Sequence, residues 1–63
     1  MNTYICKYYD EERKETGNTL EIMGEETLSH ARERIKKNAK EGDVYYNIFT
    51  PRNNKISSRE MKL

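Results

Sequence analysis

The chain is short of the residues that most often build sites. Its 63 residues include one cysteine, one histidine, one proline and no tryptophan. With Cys6 alone, neither an intramolecular disulfide nor a cysteine-built zinc centre can form. No apolar run approaches the roughly 20 residues needed to cross a membrane. Met1 to Tyr4 lacks the basic-then-apolar pattern of a secretory signal, so a reducing, cytoplasmic setting is expected. Aliphatic residues are scarce too. Leu, Ile, Val and Phe number only ten, below the rough 20% of ordinary domains. Disorder also requires a high net charge, and here it is +1. Five tyrosines and three methionines enlarge the apolar supply. The expectation is one folded domain over residues 1–63 with a thin core, of the kind a partner or a second copy can complete.

Charge is abundant but unevenly placed. Residues 1–27 carry three basic and seven acidic residues, whereas residues 28–63 carry nine basic and four acidic ones. Such halves attract each other within a fold or present different faces to different partners.

Periodicity predicts a β-β-α-β order. Thr3 to Tyr9 is rich in β-branched and aromatic residues and suits a strand, although both of its faces carry tyrosine, which leaves its register open. Asp10 to Asn18 is almost wholly charged and ends in Gly-Asn, so it reads as an exposed hairpin tip. Thr19 to Met23 is a second strand. From Glu25 to Glu41, Leu28, Ala31, Ile35 and Ala39 fall at helical spacing, with Glu25 and Glu26 at the start and Gly42 as the C-cap. Val44 to Thr50 is a third strand, ended by Pro51, and residues 52–55 form a turn. Residues 52–63 read as a tail that is flexible or folds back. Its end returns as a short strand through Ile56, or opens a helical turn on a Ser57–Glu60 capping box. The fold class expected is therefore α+β, with a small antiparallel three-stranded sheet packed on one helix.

One helix covers one face of such a sheet. The reverse face would carry Tyr9, Met23, Tyr45 and Phe49, an unusually apolar patch if left open. It needs a lid: either the tail, with Ile56, Met61 and Leu63 as anchors, or another protein chain. A polar tail with three scattered apolar residues is a poor lid, so the second option is expected and these four residues become the expected partner contact.

No catalytic group, cofactor site or metal site is expected. His30 has only Glu26, one turn earlier, to orient it, and active sites need convergent groups in a cleft. Cys6 sits mid-strand, without the helix terminus or cation that activates a thiolate. The acidic residues of the tip lack the spacing and the central glycine of a calcium loop. Basic residues are the remaining feature. Arg34, Lys37 and Lys40 on the helix, with Arg52 and Lys55 beyond it, can meet phosphates, and sheet aromatics can stack bases. The expected function is a non-enzymatic protein-interaction module or homo-oligomer, such as an accessory or inhibitory protein that occludes a partner's surface. The alternative is a weak binder of single-stranded nucleic acid.

Overall fold

The computed structural model describes residues 3–63 and has the α+β architecture the periodicity predicts. The strands are β1 (Thr3–Tyr9), β2 (Glu15–Met23), β3 (Tyr45–Phe49) and β4 (Met61–Lys62), and the helix α1 is Leu28–Asn38. All strand pairs are antiparallel, in the order β2-β1-β3-β4. The fourth strand is the short C-terminal return. The helical turn offered as its alternative does not form, because Glu60 turns to Arg13 and Lys55 (3.7 and 3.8 Å) instead of capping residues after Ser57.

Two loops in this fold share one construction. At the tip of the first hairpin the Arg13 N–H donates to the Asp10 carbonyl, and the Asp10 carboxylate accepts from the N–H groups of Glu12 and Lys14. After β3 the Asn53 N–H donates to the Thr50 carbonyl, and the Thr50 hydroxyl accepts from the Asn54 N–H. In both, the fourth residue takes a left-handed backbone, with φ of 64° at Arg13 and at Asn53. Asparagine tolerates that conformation; arginine pays on the order of 1–2 kcal/mol for it. The first loop is tighter than expected, since Glu15 to Asn18 belong to β2. Those residues absorb an irregularity in the register opposite Lys7–Tyr9, where Gly17 has φ 93°.

The helix is shorter than the apolar spacing suggests. Thr27 caps its start by accepting from the His30 N–H at 3.2 Å, so Glu25 and Glu26 precede the helix and are not in its first turn. Its end comes at Asn38, not at Gly42. The Asp43 carboxylate takes the Lys40 N–H at 2.9 Å, and Gly42 instead turns the chain at φ 97°. The Ala39 N–H then donates to Lys36, which leaves the Ile35 carbonyl without its helical donor. The buried Tyr8 hydroxyl fills that place at 2.5 Å.

Register decides which face is which. Cys6, Tyr8, Ile22, Tyr46 and Ile48 face the helix and bury Ala31 and Ile35 against them, with Tyr4, Leu20, Ala39 and Met61 at the margin. Ile35 is only 1% exposed. Leu28, expected in this stripe, stays outside it at 60% exposure, because a residue directly after the cap lies at the helix edge.

The reverse face carries Ile5, Lys7 and Tyr9 of β1 beside Phe49, Asn47 and Tyr45 of β3. It is closed by this chain itself. Lys55 and Ile56 return along the β3 edge by backbone pairing with Phe49 and Ile48, and so bring the C-terminal segment alongside. The segment between Ile56 and Met61 is tied to this face by the Asn47 side-chain amide, which donates to the Ser57 carbonyl at 3.1 Å. Asn47 is completely buried, and Tyr9 and Phe49 are nearly so. The expectation of an open aromatic face is thus corrected. The lid is polar, and it holds through hydrogen bonds and cations where apolar anchors were sought.

Candidate interaction site

Each residue expected at a partner surface has a definite place. Tyr9 and Phe49 are inside the chain. Burial raises the Tyr9 hydroxyl above its usual pKa, helped by the charges of Glu15 and Glu60. The Lys7 ammonium lies 4.6 Å from the centre of the Phe49 ring. The Arg13 guanidinium lies 4.1 Å from the centre of the Tyr45 ring and donates to the Glu60 carbonyl at 3.1 Å. Tyr45 is therefore a bridge between the hairpin tip and the C-terminal segment. Met23, at the end of β2, is half-buried and lines a hollow beside the helix.

The basic residues do not form one face. Arg34 is paired with Glu26 and also donates to the Glu21 carbonyl. Lys55 is 3.8 Å from Glu60. Lys37 lies by Leu20 and Arg34, and Lys40 lines a different, polar hollow with Asp43. Arg52 is exposed in the loop after β3.

The long sheet edge, along β2, is not free. Along β2, the Glu21 and Thr19 carbonyls accept from Arg34 and Asn38 of the helix. The Met23 N–H donates to the Glu26 carboxylate, and the Met23 carbonyl accepts from the Glu26 N–H. A further strand would have to displace these groups, which is how proteins blunt edge pairing.

The polar hollow of about 540 Å³ at residues 16–19, 40, 41 and 43 is organised by Asp43. Its carboxylate accepts from the Thr16 hydroxyl (2.6 Å), the Asn18 amide (2.9 Å) and the Lys40 N–H. Burial alone would raise its pKa. These hydrogen bonds and the Lys40 charge outweigh burial and hold it below the ordinary carboxylate value. The group is satisfied by its own chain and acts as a clamp between β2 and the end of the helix. Cys6 is similarly quiet: burial pushes its thiol up to about 12, and a hydrogen bond with Tyr8 only partly offsets this. His30 sits 3.3 Å from Glu26. Among the described residues no three His, Cys, Asp or Glu side chains gather as a metal site would require. No helix among them is long and apolar enough to cross a membrane.

What remains is the side of the helix facing β3 and the C-terminal segment, where two hollows follow one another. The first, about 200 Å³, is lined by Tyr4, Ile22, Met23, Gly24, Glu26, Leu28, Ala31, Ile48 and Ile56. Among the described residues, Leu28 and Ile56, respectively 60% and 50% exposed, are the large apolar side chains left in water, and both border it. The second, about 320 Å³, is lined by Arg32, Ile35, Lys36, Tyr46, Met61 and Lys62. Leu28, Arg32 and Lys36 are one turn apart along the helix, and Ile48 and Tyr46 are alternate residues on one strand face, so both hollows lie on the same side of α1. Sequence reasoning placed Leu28 in the core and used Ile56 only as an anchor. Thr27 just before Leu28 was the available signal, since a threonine cap puts the next residue at the helix edge.

Comparison of the chain with protein-family models, with curated proteins and with solved structures finds no match.

Proposed function

We propose that this chain is a small non-enzymatic protein-interaction module that seats an apolar side chain of a partner protein in the hollow between Leu28 and Ile56. Such a module acts as an accessory or inhibitory protein by covering part of its partner. The observation that carries this reading is that both strongly exposed aliphatic side chains border one hollow. Single exposed leucines are ordinary. Here a chain with ten Leu, Ile, Val and Phe residues leaves two of them in water at one place. Full burial of such a side chain gives about 1.5–3 kcal/mol, a gain left for association. The reverse face and the β2 edge are already occupied by the chain's own groups, so neither supports the reading. Glu26 also lines this hollow; Arg34 pairs with one of its carboxylate oxygens, and the other lies 3.3 Å from His30 Nδ1 without a hydrogen bond among the described residues.

The nucleic-acid alternative has less to draw on. Its basic residues are divided among separate neighbourhoods, and the sheet aromatics it needs for stacking are buried, covered by Arg13 in the case of Tyr45, or half-buried against the core in the case of Tyr4.

The test uses the immobilised chain in a native extract, with and without nuclease, beside a Leu28→Ser/Ile56→Ser variant of matched thermal stability. A protein retained after nuclease by the parent and lost by the variant supports the reading. Retention that survives the double substitution, or that vanishes with nuclease, contradicts it.

A further inference from the structure

The second hollow says what else the partner carries. Arg32 and Lys36 lie one turn apart on the helix, and Lys62 of β4 faces the same hollow. Like charges at that helical spacing repel, and a third cation adds to the repulsion. The chain relieves four of its cations with acids: Lys7 by Glu15, Arg13 and Lys55 by Glu60, Arg34 by Glu26; others without such a partner among the described residues, such as Lys14 and Arg52, stand apart in exposed loops. Among the described residues, Arg32, Lys36 and Lys62 have no carboxylate within 4 Å, and no acid lines their hollow. Beneath them the hollow is walled by Ile35, Tyr46 and Met61. The arrangement is a cationic rim over an apolar wall, set next to the hollow of Leu28 and Ile56.

We infer that the partner segment is bipartite, with an apolar side chain for the Leu28–Ile56 hollow and one or two carboxylates for Arg32, Lys36 and Lys62. This rests on the protein-docking reading above and adds the chemistry of the ligand to it. Leu28 and Lys36 are eight residues apart on the helix, about 12 Å at 1.5 Å per residue. An extended segment covers that span in about four residues at 3.3 Å each. The recognised feature is therefore an apolar residue followed or preceded, about four positions away, by acidic ones. A phosphate backbone shares the negative charge, but the aromatic of this hollow, Tyr46, is buried and offers no face for a base. The protein segment is favoured for that reason.

The test is amide-shift mapping of the full chain by NMR with three probes: a synthetic octapeptide carrying one leucine and two glutamates about four residues on, the same peptide with lysines for the glutamates, and oligo-dT. The acidic peptide is expected to shift amides around Leu28, Lys36, Tyr46 and Lys62. The lysine peptide is expected to bind at least about tenfold more weakly, and the acidic peptide's affinity to fall with salt. Lys36→Glu should cost at least about tenfold in affinity for the acidic peptide with little change in Tm, because relief of the repulsion with Arg32 is offset by loss of a cation from the last helical turn. A merely structural role for Lys36 would lower Tm and leave the folded chain's affinity unchanged. If Leu28→Ser abolishes binding of both peptides and Lys36→Glu changes neither, the acidic half is overturned and apolar docking stands. If neither peptide binds, the inference falls, and the extract experiment decides the docking reading separately. Oligo-dT shifting this site in preference to the acidic peptide overturns it in favour of nucleic acid.

Discussion

The two faces of this sheet are closed in different ways. Toward the helix, Cys6, Tyr8, Ile22, Tyr46 and Ile48 are buried against Ala31 and Ile35. That closure is apolar, apart from the Tyr8 hydroxyl on the Ile35 carbonyl. On the reverse, Tyr9, Asn47 and Phe49 are buried beneath a cover that is mostly polar: Lys7 over Phe49, Arg13 over Tyr45, and the Ser57 carbonyl on Asn47. A thin domain with few aliphatic residues can therefore bury two faces if one is finished with cations and hydrogen bonds. The side of the helix that is finished by neither is where the exposed aliphatics lie, beside three cations without a carboxylate partner among the described residues, Arg32, Lys36 and Lys62.

The largest effect that separates the faces is expected at Ile35. Ile35→Asp places an unpaired charge against the apolar face and should unfold the domain, at a cost above about 4 kcal/mol. Lys37→Asp, on the solvated side of the same helix, should cost only about 1 kcal/mol, chiefly from reversing a charge in the last helical turn. Equal losses by chemical denaturation would contradict the assignment of the buried face.

Phe49→Ser comes next. As a core side chain under Lys7, Phe49 should cost about 3–5 kcal/mol on truncation. Stability unchanged in chemical denaturation would mean that the reverse face is not internal.

Tyr8→Phe should cost about 1–3 kcal/mol, because the Ile35 carbonyl then loses its donor while staying buried. A stability equal to the parent would show that water serves that carbonyl equally well.

A smaller effect is expected in acid. Asp43 has a folded pKa below its unfolded value near 3.9. A depressed carboxylate contributes stability that is present above the unfolded pKa and is lost as pH falls through the folded one. Urea midpoints should therefore decline below about pH 4, and Asp43→Asn should lower the plateau at pH 7 and flatten that decline. An unchanged acid limb would show that Asp43 is not the clamp between β2 and the helix end.

These comparisons also show what the sequence made legible. The helix stripe of Ala31 and Ile35, β1, the second half of β2, and β3 with its two faces were legible in composition and spacing. The reverse-face lid did not, because its parts are far apart in sequence and polar. Arg13 reaches Glu60, 47 positions away, and no periodicity encodes that contact. The helix end was misplaced because Asp43, a side chain beyond the apolar pattern, captures the Lys40 N–H. The charge imbalance between the halves was legible, and the Arg34–Glu26 pair follows it, whereas Arg13–Glu60 joins the minority charge of each half. The candidate site escaped for a related reason: Leu28 fits the helical stripe, and only the cap at Thr27 moves it to the edge.

The central claim is that this chain covers its own reverse face, so that association is left to the helix side. Light scattering and chemical denaturation on the intact chain and on a form ending at Pro51 test it most directly. The account predicts that the intact chain is monomeric and unfolds cooperatively, and that the shortened form loses most of its stability along with the burial of Tyr45 and Phe49. An intact chain that dimerises and is dispersed by Tyr45→Ser/Phe49→Ser with its helix signal retained, or a shortened form as stable as the parent, would contradict it.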